Sequence, residues 1–561
     1  MISLTDEYTI ALGITAITAY FVSQFLIPPP LVHPLLLGQQ SQIAAVRKEN
    51  ESAVYSSYGI GSSPPPISPG RGVVTQPALL KLEAPFDTAE RWLWDRKITN
   101  AQLHALVNRI GPALCSVAGL VPKGSRVLML LDDCLEWLVA DLALASYCVP
   151  TITLASRNLL NEVLDQYTPT SIIVQASFLV QLLEQLEEAH TSPTIVVVGD
   201  KSGLVKQWEM KVKSKLIAWE DLGAATRDPP SVTPPNASDI SSAHFYSLES
   251  GKLRGVQFTH QNVVAGAYAI LNAFPTSTPW GEGDMIISAH SLSTPYGRSI
   301  LYAALYSGAN FTTFASSILK ETDLISISSE LLTVSNHELR PSPTLLFLTP
   351  EHLRVVTSNV LNLSKKFLLF GVAWRHKHAA ILRGYLVRDG LWDRQVFNKA
   401  RISALGLLTN RLRGVAVGPG PVQQAALLPA RIALSIPVMS VYASPLSASP
   451  VFASHPLDMQ ILETSENQDT ESKNAHSGPP TSNVAVKLLR IREESVAVGG
   501  DPEGEICIRG PGVGDPIPMN VSLEDGWIPC GVTAKVLANG TFVVGDPIAS
   551  TRSSMHDFTI I

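Results

Sequence analysis

Cysteine is scarce and unpatterned. The five residues Cys115, Cys134, Cys148, Cys507 and Cys530 are scattered through 561, with no C-x-x-C pair, which argues against a disulfide framework or a zinc ribbon and reads as reduced core thiols. Charge is thin as well. Asp, Glu, Lys and Arg make up 16% of the chain, the net charge is −6, and no Lys/Arg run interleaves with aromatics, so nucleic acid is not an expected partner. Several catalytic signatures are missing: no G-x-S-x-G elbow, no H-E-x-x-H helix, no G-x-x-x-x-G-K-[ST] loop. No repeat of fixed period is present either. In contrast, 45% hydrophobic residues exclude a disordered chain, and 40 prolines with 37 glycines imply many turns.

One stretch lacks charge altogether. From Tyr8 to Ile27 the text "YTIALGITAITAYFVSQFLI" is about as long as a membrane-crossing helix needs to be. No Lys or Arg precedes it and no small-residue cleavage site follows, so residues 1–28 are expected to be a retained transmembrane anchor. Asp6 and Glu7 lie before the run and Arg47 and Lys48 after it, which places the body of the protein on the cytosolic face of an internal membrane such as the endoplasmic reticulum. Residues 29–75 are rich in proline and read as an extended linker.

Beyond the linker, helical periodicity alternates with short β-rich runs. "NAQLHALVNRIGPAL" and "EWLVADLALASY" repeat apolar residues every three or four positions, whereas "RVLMLL", "TSIIVQA" and "TIVVVGD" read as buried strands. The expected fold class is α/β: two stacked α/β sheet lobes, 76–238 and 239–445, and a small β-rich unit, 446–546. Polar text at 463–483 predicts a mobile surface loop, and 547–561 a tail. His376 and His378 in "WRHKHAAILRG" have a spacing open to ligands but read as a solvated basic helix face, with contact to anionic lipid headgroups as a further option.

The densest Ser/Gly/Lys/Arg cluster is "FYSLESGKLRGVQFTHQN", beginning at Phe245. It resembles the "YTSGTTGKPKGVVLTHRN" phosphate loop of the AMP-forming acyl-CoA synthetases, the adenylate-forming family. Further segments follow in family order. "GDMIISAHSLSTPYGRSILYAALYSGA", "PTLLFLTPEHL", "LRGVAVGPGPV", "PVMSVYASPLSAS", "GEICIRGPGV" and "DGWIPCGVTAKVLANGTFVVGD" are similar to the long-chain fatty acid branch, so that the resemblance covers about 85 to 546. It implies the large AMP-binding domain over 76–546, and activation of a fatty acid at a membrane with ATP, magnesium and coenzyme A. Ser247, Ser250, Gly251, Lys252, Arg254 and Gly255 fall on its phosphate-loop positions, Gly418, Gly420 and Pro421 on its adenine-lining wall, and Tyr442 on its stacking tyrosine.

Other positions depart from the family pattern. Leu248 and Glu249 stand in place of a glycine and a threonine in the loop, and Glu249 puts a negative charge beside phosphate. A unit charge about 4 Å from a phosphate charge costs roughly 4 kcal/mol at an effective dielectric near 20. Pro445 and Leu446 stand in place of the family's threonine and magnesium-binding glutamate, and Val532 in place of its ribose-binding aspartate. Leucine cannot ligate a hard cation. Asp546 aligns with the hinge aspartate, only fifteen residues follow it, and no lysine follows Lys535, so the family's C-terminal lid and its catalytic lysine are expected to be missing. No catalytic or metal-ligating residue is therefore assigned. The reading is a ligase-like protein impaired in catalysis, with binding of ATP, magnesium and coenzyme A in doubt. The alternative is a non-catalytic regulator or scaffold that holds an acyl chain or nucleotide and works with a protein partner at the membrane.

Overall fold

The structure, a computed structural model, describes residues 6–25, 31–32, 34–58, 78, 90–224, 233–248, 251–275, 277–314, 341–409, 411–460, 474–518 and 524–548. Three sheets organise them. The first has eight strands in the spatial order Asp515–Ile517, Leu253–Thr259, Ile240–Ser247, Thr151–Leu154, Val127–Leu130, Ser171–Gln175, Thr194–Val198 and Leu216–Ala218. The six strands from Ile240–Ser247 to Leu216–Ala218 are joined in parallel, whereas Leu253–Thr259 and Asp515–Ile517 are added antiparallel. The second sheet also has eight strands, with a parallel centre of Val438–Tyr442, Gly414–Val417, Leu345–Leu348, Met285–Ser288 and Asn310–Thr313. Its edges are Phe452–Ala453 and the hairpin Arg91–Leu93/Arg96–Ile98.

Helices between the two large sheets are buried on every side, as parallel sheets covered on both faces require. Every residue from Pro295 to Leu305 is buried, as is Leu135 with the stretch Trp137 to Ala145. The chain punctuates these helices locally. Thr99 with Gln102 and Thr259 with Asn262 form reciprocal capping boxes, Thr294 and Thr349 cap helices that open on a proline, and Gly308 closes Pro295–Ser307 at φ 77°. One buried polar knot crosses the interlayer. Tyr302 donates to Asp141 at 2.5 Å, Thr151 donates to it at 3.2 Å, and Arg298 lies 3.8 Å from it.

The mixed α/β architecture with two large sheets and a smaller β unit accords with the expectation from sequence, and several details differ. The third sheet is six-stranded, and two of its strands, Ser41–Ile43 and Tyr55–Ser57, come from the segment expected to be a linker. Tyr55 pairs with Val486, packs edge-on against Phe542 at 5.2 Å, and is flanked by Lys487 bonded to Glu51 at 2.7 Å. Proline density masked a short ribbon that needs a partner sheet to be a strand at all. The expected boundary at 239 also shifts in meaning, because Ile240–Thr259 completes the first sheet rather than opening the second. The second half of the expected mobile loop is corrected too: Ala475, His476, Ser477, Thr481 and Asn483 are buried, and Asn483 donates to the Ala265 carbonyl at 2.7 Å. The rest of that loop, 463–473, lies outside the described residues.

Residues Glu7–Phe25 form a helix, yet among the described residues no helix is long and apolar enough to cross a membrane. The expected spanning anchor is not supported. The run was free of charge without being apolar throughout, since Thr9, Thr15, Thr18, Tyr20, Ser23 and Gln24 dilute it.

Candidate functional site

The Ser/Gly/Lys/Arg cluster folds as the tip of the hairpin at the edge of the first sheet. Phe245 pairs with Gly255, Tyr246 with Arg254, and Ser247 with Leu253. Two backbone amides at the tip are then committed to the turn itself: Leu248 N–H donates to the Lys252 carbonyl at 3.1 Å and Gly251 N–H to the Leu248 carbonyl at 2.8 Å. Gly251 takes φ +75°, the left-handed conformation that glycine adopts without strain. Ser247, Gly251 and Lys252 are exposed at the tip and Arg254 is half-buried. Glu249 and Ser250 lie outside the described residues. Gly255 is a packing glycine: a Cβ there would sit 2.6 Å from the Phe245 ring and 3.3 Å from Ile517.

The second wall comes from the loop after Gly414–Val417. Gly418 donates to the Leu348 carbonyl at 3.0 Å, and a Cβ on it would lie 2.5 Å from the Val441 carbonyl, so it too is glycine for close approach. Pro419 accepts from Ala443 N–H at 3.0 Å, which ties this loop to the one following Val438–Tyr442. Gly420 faces open space and Pro421 is half-buried. Of the three expected wall residues, Gly420 is the one left free for a ligand to approach.

Tyr442 is not a free stacking platform. It is 6% exposed, and its ring lies 6.0 Å from Phe452, which stacks at 4.4 Å on Phe542, which in turn meets Tyr55. An aromatic ladder thus runs from the second sheet into the third and absorbs the tyrosine. Burial raises the pKa of the Tyr442 phenol. Leu446 is buried at 4% exposure in the main core. Its carbonyl accepts from Gly514 N–H at 3.0 Å, and Ser447 Oγ donates to the Gly512 carbonyl at 3.1 Å, which closes the loop against 510–514. Val532 sits on Ile528–Val536, half-buried and packed against the same core.

Three residues that the sequence did not assign to the site converge here. Cys530, on the strand that carries Val532, has its thiol pushed up to about 12 by burial, with a bond from Ser444 acting in the opposite direction. Burial, then the nearby Cys530, also pushes Tyr246 up to about 12. Tyr246, Ser444 and Cys530 therefore form a neutral, protonated floor where the hairpin, the Tyr442 loop and the third sheet meet. Their lack of formal charge at neutral pH is why no sequence pattern connected them to the site.

The donor set fits a nucleotide in part and a divalent cation poorly. Lys252, Arg254 and Ser247 can meet phosphate oxygens, but the side chain at position 446 offers no oxygen and points into packed apolar residues. Among the described residues, no group of three His, Cys, Asp or Glu is placed to hold a metal ion.

The sequence profile of the family described as "AMP-binding enzyme" matches residues 85–515. Long-chain-fatty-acid–CoA ligase 1 of Homo sapiens is 26% identical over 430 residues, covering 73% of this chain and 57% of its own length. The peroxisomal long chain acyl-CoA synthetase 6 of Arabidopsis thaliana is 24% identical over 446 residues, covering 76% of this chain and 58% of its own length. The chain thus spans less than two thirds of the curated relatives it matches. Among solved structures, a fatty acyl CoA synthetase of Mycobacterium tuberculosis matches with a TM-score of 0.56 at 16% identity, over 85% of this chain and 78% of its own. The anthranilate CoA ligase AuaEII in complex with anthranoyl-AMP matches with a TM-score of 0.58 at 16% identity, over 84% and 78%. At these identities the structural matches establish the fold alone.

Proposed function

The chain belongs to the AMP-binding enzyme family, and from that membership we propose that it is a long-chain fatty acid–CoA ligase-like protein in which adenylation is impaired. Its ligand on this reading is an acyl chain, the substrate class named by its curated relatives. What supports the reading is Leu446, an apolar side chain buried in the core at the position that, by the sequence resemblance, corresponds to the family's magnesium-binding glutamate.

The remaining groups act in a limited way. Lys252 and Arg254 neutralise phosphate charge, and Ser247 offers a hydroxyl to it, while Leu248 and Gly251 keep their amides in the hairpin turn. Val532 gives the ribose no acceptor. When bound, ATP supplies the activating group for a carboxylate; the residues here hold phosphate and leave the metal and ribose contacts unmade. Losing two such contacts at about 2 kcal/mol each slows the reaction on the order of a thousandfold.

Titration calorimetry tests the reading. ATP is expected to bind weakly and with the same affinity with and without magnesium, while a long-chain fatty acid or its CoA ester raises the melting temperature. ATP affinity that tightens at least tenfold on adding magnesium would contradict it.

A further inference from the structure

The helix Phe370–Leu382 and the turn before it present an unpartnered face that the nucleotide site does not use. Leu368 is 99% exposed, Leu369 47%, Val372 54% and Leu382 56%. With Arg375 and Ala379 they recur at spacings of three and four residues, so they line one side of the helix. The opposite side is anchored. Ala373, Ala380 and Ile381 are buried there, and Lys377 is turned inward, 2.7 Å from Asp393, with Arg401 and Ser435 completing the buried cluster. The exposed leucines therefore sit on a fixed helix and not on a fraying one.

Charge surrounds this face with one sign. Lys365, Lys366, Arg375 and Arg383 are exposed on or beside it, and among the described residues none has an ion-pair partner. Between Lys365 and Lys399 the carboxylates are Asp389 and the buried Asp393. The apolar character also continues past the helix. Leu31 donates its N–H to the Gly384 carbonyl at 3.1 Å, which brings the exposed Leu31 to the C-terminal end of this helix. An apolar recess of about 290 Å³ opens alongside, with His376, Ala380, Leu386, Leu391 and Trp392 in its lining.

We propose that the face from Lys365 to Arg383 docks on an anionic phospholipid surface, with Leu368, Leu369, Val372 and Leu382 entering the headgroup layer and the four basic side chains meeting lipid phosphates. Long exposed leucines among lysines and arginines are the composition of an interfacial helix. A second copy of the chain would bring like charges together, and a nucleic acid would leave the leucines in water. The inference does not require the N-terminal helix to span a membrane, and it stands whether or not adenylation is impaired.

Co-sedimentation of the full chain with vesicles tests it. Vesicles of phosphatidylcholine alone are compared with vesicles of phosphatidylcholine and phosphatidylserine, at low and high salt. The variants are Leu368→Asp/Leu369→Asp and Lys365→Glu/Lys366→Glu/Arg375→Glu, with the N-terminal helix intact in each and the fold checked by circular dichroism and melting temperature. The expected result is preferential, salt-sensitive binding to the serine-containing vesicles, about tenfold or more weaker in both variants, with unchanged melting curves. Three results would overturn it: variants that bind these vesicles as the parent does, a parent that does not distinguish the two compositions, or a parent that ignores vesicles but binds an acidic polypeptide in a manner the charge-reversed variant abolishes.

Discussion

Asp133 shows how a single carboxyl at a loop sets a pH dependence. One oxygen accepts from Leu292 N–H at 3.0 Å and Ser291 Oγ at 3.1 Å, while the other is shielded with no hydrogen-bond partner among the described residues. Burial, opposed by those two bonds, pushes its pKa up to about 8. An acid whose pKa is higher folded than unfolded binds more protons when folded. Its contribution is fully present below the unfolded value near 4 and is lost as pH rises through about 8. Asp133→Asn keeps an acceptor and removes the charge, so it should leave stability near pH 4 unchanged and raise it near pH 9 by about 1–3 kcal/mol. Thermal melts of both proteins across that range check this, and parallel pH profiles would contradict it. Gly255 makes a second residue-scale case. The sequence assigned it to the phosphate loop by position, whereas the structure shows a glycine needed by the Phe245 ring. Gly255→Ala should cost about 1–3 kcal/mol by overpacking, measured by denaturant unfolding, and should leave nucleotide affinity within twofold.

At the scale of elements, the strands of the large sheets were legible because buried parallel strands write themselves as short apolar runs such as "RVLML" and "TIVVV". Elements that depend on distant partners were not. Ser41–Ile43 and Tyr55–Ser57 carry weak local preference and are held by contacts to Gly540, Val486 and Phe542, more than four hundred residues away in sequence. The same limit hid the ionic cluster that locks Phe370–Leu382. Asp393 there sits 2.7 Å from Lys377 and 2.5 Å from Arg401, in apolar surroundings that include Phe397. Asp393→Ala leaves two buried cations without their anion, so a loss of about 3–5 kcal/mol is expected in chemical denaturation. A loss below about 1 kcal/mol would show that water already screens the cluster.

Across the whole molecule, three sheets meet at one place, and that place is where the ordered motifs of the sequence led. The hairpin through Tyr246, the Tyr442 loop through Ser444 and the Cys530 strand come from segments far apart in the chain, yet they meet, and the Gly420 turn is tied to the Tyr442 loop through Pro419. What the motifs could not convey was the state of each side chain. Tyr442, which the sequence resemblance sets on the family's stacking tyrosine, lies against Phe452 and is buried, and Leu446, which the same resemblance sets on the family's glutamate, is buried as well. Burial of both is a property of how the third sheet and its N-terminal ribbon close on the second, which no local pattern records. Whether this junction adenylates is therefore the deciding property. Exchange of labelled pyrophosphate into ATP, with magnesium and a long-chain fatty acid present, measures that directly. Exchange at least about a hundredfold slower than that of a long-chain fatty acid–CoA ligase that carries the magnesium-binding glutamate is the predicted result, and fatty-acid-dependent exchange at a comparable rate that Lys252→Ala abolishes would contradict it.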